Sequence, residues 1–307
     1  MSDYRVTHLL PAVLVLFANP AGLSAQSTGG SAELQSSGRP GSDLTGSRPS
    51  SAVHETTKGI FIDPLITEHA FVDRKVRWDF AGRLLRNDEG KVYESSLIFE
   101  YAFTDWFALE LDQPLRLTNM PEAESVAGLG DLKLAAKFQV TKAANTGGLI
   151  LATGVEFSLP SGEEEVGAGE DYVVAPLAAL DWAIGSGLVK LQSQAELEYV
   201  FAREGGNGQF EAIEWNTALS LFTSDNVVPL LEFNTEFGGL QEEVSESIFA
   251  LTPGVVVSLK DIAGKSFDIA AGAQIFFGSD REESTALLVS LRHHWSVQVE
   301  PVGQLHL

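Results

Sequence analysis

From about residue 71 onward, apolar and polar side chains alternate one by one in runs that recur through the rest of the chain. Between 131 and 140, Leu132, Leu134, Ala136, Phe138 and Val140 are apolar, while Asp131, Lys133, Lys137 and Gln139 separate them. Successive side chains of a strand point to opposite faces, so such a run divides an apolar environment from a polar one. The period predicts twelve strands, at 74–85, 91–103, 106–116, 130–141, 148–159, 171–184, 188–201, 210–222, 227–238, 247–259, 266–278 and 284–295. In the second, Tyr93, Leu97, Phe99, Tyr101 and Phe103 share one face and Glu94, Ser96 and Glu100 the other. Most runs reach the ~9–11 residues a tilted strand needs to cross a bilayer, and they exceed the ~5–6 usual in globular sheets.

The connections sort into two kinds. Thr104-Asp105, Lys142–Gly147, Gly185–Gly187, Thr223–Asn226 and Lys260–Lys265 are short turns, whereas 86–90, 117–129, 160–170, 202–209, 239–246 and 279–283 are generally longer and more acidic. Alternating short turns and longer loops is the threading of an outer-membrane barrel, and an even strand count puts both ends on the short-turn, periplasmic side. Trp106, Phe107, Trp182, Phe201, Trp215, Phe222, Phe277 and Trp295 fall near expected strand ends, where interfacial aromatic girdles lie. Tyr172–Val189 has one charge, Asp181, and approaches the length of a membrane helix, but Pro176, Gly185 and Gly187 favour strand, turn, strand. The fold class read from these patterns is all-β, a closed antiparallel transmembrane β-barrel of about twelve strands.

Parity then assigns the faces. Leu134, Phe138, Leu149, Leu151, Phe157 and Leu287 are expected to meet lipid, so arginine at Leu151 should cost far more than arginine at inward Ala152. The inner face collects Asp79, Glu94, Glu100, Glu110, Asp112, Asp131, Glu156, Asp181, Glu196, Glu198, Glu214, Glu232, Glu236 and Asp268. Against these acids stand Arg77, Arg83, Lys133, Lys137, Lys190 and Arg292, so an acidic lumen favouring cations competes with a salt-bridge lattice that fills the barrel. A turn centred near 144–145 would set Lys133 opposite Glu156 and Asp131 opposite Ser158, and the Gly-Ser-Gly turn would set Asp181 opposite Lys190.

The start of the chain has a different character. Arg5, the apolar run Leu9–Ala18 and the small residues before Gln26 describe a secretory signal peptide, 1–25. Residues 26–57 are rich in Gly, Ser, Thr and Pro without a period, a flexible leader, which leaves 58–307 for the barrel. A net charge of −22 argues against nucleic acid, and the absence of cysteine removes disulfides and thiolate metal sites.

Gly128-Leu129-Gly130-Asp131-Leu132 with Lys137, followed by Gly154–Leu159 and Pro160-Ser161-Gly162, resembles the G-L-G-D-[LV]…K and Leu-Pro-Thr-Gly landmarks of a known outer-membrane barrel family. That family is described as the putative MetA pathway of phenol degradation and is transporter-like; here Ser161 replaces the usual Thr. The resemblance is sharp over 128–170 and topological beyond it. It implies a barrel of roughly twelve strands that moves hydrophobic or aromatic compounds.

No catalytic set can be assembled, because His293 and His294 are adjacent in one strand and face opposite sides, and no His spacing suits a metal. Neither a cofactor nor a metal is expected. The acidic loop clusters 162–165 and 280–283 read as solvated loops, with divalent-cation bridging as the alternative. The chain ends Gln304-Leu305-His306-Leu307, without the terminal aromatic residue that insertion machinery commonly reads, and Trp295 is the candidate end of the last strand. The functional expectation is a passive outer-membrane channel for small solutes, aromatic or hydrophobic ones by the resemblance, with the bilayer, the solute and the barrel-insertion machinery as partners. The alternatives are a plugged structural or adhesion barrel and a secreted soluble β-protein.

Overall fold

The computed structural model describes residues 62–295, except 87–89, 122–124, 143–147, 186, 203–207, 225, 239–245, 263–264 and 279–282. The expected signal peptide and leader therefore lie outside the described residues. So do residues 279–282 of the second acidic loop and the chain beyond Trp295. Thirteen strand segments form one antiparallel sheet: β1 (Arg74–Leu85), β2 (Lys91–Ala102), β3 (Phe107–Asn119), β4 (Val126–Leu129), β5 (Leu132–Gln139), β6 (Leu149–Leu159), β7 (Asp171–Ile184), β8 (Val189–Ala202), β9 (Gln209–Leu221), β10 (Val227–Gly238), β11 (Glu246–Ile262), β12 (Lys265–Phe277) and β13 (Glu283–His294). Each pairs with its neighbours and β13 pairs with β1, which closes the sheet and leaves no free edge. Both β4 and β5 pair with β3, so they are two pieces of one wall strand and the barrel has twelve positions.

The alternation in sequence is the alternation in space. Trp78, Phe80, Leu109, Leu111, Leu134, Phe138, Phe157, Leu231, Phe233, Leu287 and Leu291 stand exposed on the outside, while Lys75, Arg77, Glu100, Asp181, Glu232 and Arg292 between the same strands are buried inside. An apolar exterior around a charged interior inverts the arrangement of a water-soluble protein and suits a hydrocarbon surround. Leu149 and Leu151 also point outward, opposite in sense to their buried neighbours Ile150 and Ala152. The segment 172–189 is indeed β7, a turn with Gly185 and Gly187 at positive φ, and β8. Among the described residues no helix is long and apolar enough to cross a membrane.

Three details differ from the sequence reading. The strand expected at 130–141 is broken, because Leu115↔Leu129 and Asp112↔Lys133 belong to registers one residue apart, a bulge at Gly130-Asp131. Both hairpin registers slip by two residues: Lys133 faces Ser158 and Asp181 faces Gln192, which puts Glu156 opposite Ala135 and Lys190 opposite Ala183. A slip of two preserves the faces, and Lys133 still reaches Glu156 diagonally at 3.1 Å. Among the girdle candidates, Trp215 sits in the middle of β9, its indole N–H donating to Ser193 Oγ at 2.9 Å, and Phe222 turns inward to pack with buried Val228.

Candidate functional site

Residues 62–73 run through the barrel interior before β1 begins. They are too aperiodic for a strand, and their backbone finds its partners on side chains of the wall. Glu232 of β10 accepts hydrogen bonds from Leu65 N (2.6 Å), Ile66 N (3.0 Å), Thr67 N (2.8 Å) and Thr67 Oγ1 (2.9 Å). Gln194 of β8 accepts from Glu68 N at 2.9 Å, Asp181 of β7 from Ala70 N at 2.9 Å, Gln139 of β5 from Val72 N at 3.2 Å and Glu100 of β2 from Asp73 N at 3.0 Å. In the other sense, Arg292 of β13 donates to the carbonyls of Asp63 and Pro64, and Arg77 of β1 to that of Leu65. The segment thus circles the inner wall from β2 through β5, β7, β8 and β10 to β13.

Its two ends then meet. Asp63 contacts His69 Nε2 at 2.8 Å and Lys75 Nζ at 3.0 Å, Lys75 reaches Glu100 at 3.2 Å, and Lys137 lies 3.4 Å from Glu68 and 3.6 Å from Glu100. His69 stacks on Phe71 with ring centroids 3.8 Å apart. Asp63, His69, Lys75 and Glu100 are at most 1% exposed, so this cluster of charges is shielded from water. The seat is shaped as well as charged. Leu65 enters a notch made by Gly254 and Gly272, which face each other across β11 and β12; a Cβ on Gly272 would lie 2.5 Å from Leu65 Cδ1. Leu65 joins Ile62, Val228, Leu230, Val256 and Ala270 in one apolar cluster, and Ala70 and Phe71 join Ile150, Ala152 and Ala179 in another. Ala152 is therefore not the tolerant inward site expected from sequence, because a large side chain there meets the segment.

These contacts redistribute the inward residues. Glu100, Asp181, Glu232, Lys137 and Arg292 face the interior but hold the segment, leaving them no part in an open lumen. Lys190 places its ammonium 3.2 Å from the Phe222 ring centroid. His294 bridges Asp73 (2.6 Å) and Asp268 (3.3 Å), while His293 stacks outside on Phe267.

Above the segment, toward the longer loops, the acids remain. Glu196, Glu214 and Glu236 lie directly opposite one another across β8, β9 and β10, a row of like charges. Glu198 stands one step higher on β8, and beneath the row Asn216 accepts from Asn234 Nδ2 at 3.0 Å. On the other wall Glu94 pairs with Arg83 at 2.8 Å and Arg116 at 3.7 Å and Asp112 bonds Ser96, while Glu110 lies lower, at the level of the segment, facing Glu100 across β2 and β3.

Asp131 has a separate task. Its carboxylate accepts from Gly162 N at 2.8 Å and Gly169 N at 2.9 Å, so it ties down the loop between β6 and β7 rather than facing the lumen. Gly128 and Gly130 precede it at the bulge, and Pro160 precedes the tied loop, so the motif residues 128–131 and 160–162 pack as one unit.

Two carboxylates of the segment are electrostatically committed to it. Burial alone would push Asp63 up, but His69 and Lys75 outweigh it and hold the group well below the usual carboxylate range. Glu68 is likewise lowered, burial being outweighed by Lys137, Lys75 and Arg77. A lowered pKa contributes to docking above the ordinary carboxylate value, and that contribution is lost as pH falls through the docked value. The hold of these two groups on the segment should be flat from pH 8 to the ordinary carboxylate range, ~4, and weaken only below it. Bilayer current recorded across that range checks this; opening between pH 7 and 5 would contradict it.

The sequence reading missed the segment, grouping 58–73 with the barrel. The available signal was Ile62–Asp73 itself, more apolar than the leader before it yet without the period of the strands after it.

No protein-family model matches the chain, and no curated protein matches it. Among solved structures it is similar to an outer membrane channel from Pseudomonas putida F1, with TM-score 0.54 and 14% identity, covering 76% of this chain and 100% of that one. It also matches the KdgM porin (TM-score 0.45, 9% identity, 72% of this chain and 99% of that one) and the NanC porin (TM-score 0.46, 8% identity, 73% and 100%). The chain has the fold of an outer-membrane β-barrel.

Proposed function

We propose that the chain is an outer-membrane channel for small solutes, closed at its periplasmic end by its own residues 62–73. The observation that carries this is the way the wall holds the segment. Glu232, Gln194, Asp181, Gln139, Glu100 and Arg292 bind its backbone, a docking site for a length of chain inside an otherwise polar barrel. A barrel needing only a filled interior could pair its own side chains. The short turns and the start of β1 lie at the closed end, which the threading of such barrels makes periplasmic.

The row Glu196, Glu214 and Glu236, with Glu198, supports a preference for cations in the open vestibule. For the solute, the resemblance of residues 128–162 to phenol-degradation transporters points to small aromatic or hydrophobic compounds. The bilayer and the barrel-insertion machinery are the other partners proposed. Closure also favours a second reading, a permanently plugged structural barrel.

Planar-bilayer recording separates the two. The channel reading expects rare or no openings of the full chain and stable openings once docking is weakened; a structural barrel stays silent in both states. In the open state, replacing Glu196 and Glu198 with Gln should lower cation selectivity, read as the reversal potential in a salt gradient. Unchanged selectivity would mean that the carboxylate wall does not set it.

A further inference from the structure

The loop 160–170 lies between β6 and β7 at the end opposite the closed one. It does not stand above the rim. It is tied to the wall beside it in both senses: Asp131, at the bulge between β4 and β5, accepts from Gly162 N and Gly169 N, while the loop's own Ser161 Oγ accepts from Leu132 N at 3.0 Å and its Glu163 Oε1 from Leu129 N at 3.2 Å. Glu163 N also donates to Leu129 O at 2.9 Å, continuing the wall past the bulge. From the lumen side, Arg116 donates through Nη1 to Val166 O at 3.2 Å, and Arg116 is an inner-face residue of β3 opposite Glu94. Val166, at the end of the short 3-10 turn Glu164–Val166, is buried.

The backbone chemistry fits this fixed shape. A Cβ on Gly162 would lie 2.7 Å from Gly130 C, and Gly169 takes φ +84, the left-handed region that favours glycine, where its N–H meets Asp131. The bulge supplies the remaining condition. By slipping the register one residue between Leu129 and Lys133 it releases Asp131 from the ladder and frees the carboxylate to collect loop N–H groups.

We infer that Asp131 and Arg116 are positioning residues that hold loop 160–170 folded over the outer mouth, where it sets the size of solute that can enter the vestibule. This second restriction is independent of the segment at the other end. Its orientation rests on the proposed function, but it concerns entry and not passage.

The absence of cysteine allows a direct test. A single Glu214→Cys in the full-length protein, displayed on intact cells, is labelled with a small maleimide and with a long polyethylene-glycol maleimide. The parent should react quickly with the small reagent and slowly with the bulky one. Adding Asp131→Ala should raise the bulky reagent's rate at least about fivefold, by removing the bonds that hold the loop, with little change for the small one. Asp131→Asn, whose amide oxygen can still accept from Gly162 and Gly169, should stay near the parent. If Asp131→Ala does not reach the folded, heat-modifiable barrel, Arg116→Gln is read in its place, with the same rise expected. An unchanged bulky-reagent rate in the folded variant overturns the inference, whether or not the barrel conducts.

Discussion

Glu232→Leu should convert a silent barrel into a conducting one. The carboxylate accepts three backbone N–H groups and one hydroxyl from residues 65–67, at 2.6 to 3.0 Å, in a place water does not reach. Hydrogen bonds to a charged acceptor contribute ~1.5–3 kcal/mol each, and a buried donor left without a partner costs ~1–3 kcal/mol. Losing even two such contacts at ~1.5 kcal/mol shifts the closed-to-open ratio about a hundredfold. Leucine has nearly the volume of glutamate, so the wall keeps its packing while the segment loses its strongest anchor. Single-channel recording of the purified variant should show long openings absent from the parent. A folded variant that stays closed would favour the permanently plugged structural barrel over the channel.

Leu287→Arg should cost roughly 2–4 kcal/mol of barrel stability, the effect of a charge near the bilayer midplane. Leu287 is 57% exposed on the outside and lies near the middle of β13. Leu151→Arg should cost less, because Leu151 is the third residue of β6 and sits near the short-turn rim, where the penalty falls to ~0–1 kcal/mol. The matched inward control is Ala135→Arg, opposite Glu110 and Glu156, where the new charge meets carboxylates. Urea unfolding in lipid vesicles compares the three. Equal loss at Leu287 and Ala135 would show that the two faces do not border different media.

The strands were legible because a barrel writes its two environments into alternate residues. Bounds at 74–85, 171–184 and 227–238 coincide with β1, β7 and β10. Register was less legible, since a slip of two leaves every side chain on its face and changes only who is opposite whom, as with Asp181 and Gln192. Parity also passes over a bulge, so 130–141 read as one strand although Gly130-Asp131 interrupts it. The inward charges were found, but their partners were not. Glu100, Asp181 and Glu232 bond to a backbone 27 to 167 residues away in sequence, and a backbone donor carries no mark in the residue type. The sequence is compatible with a lattice within the wall and with an open acidic lumen. The structure divides the lumen by level, with a tethered segment toward the short turns and a carboxylate wall toward the loops.

If residues 62–73 are the gate, tying them to the wall should silence the open variant. Ala70→Cys and Ala179→Cys, members of one packed cluster, are placed for this in the Glu232→Leu chain, which otherwise lacks cysteine. Oxidation should lock the segment to β7 and abolish the current in a planar bilayer, and a reducing agent should restore it. Current that is the same before and after verified cross-linking would contradict the account.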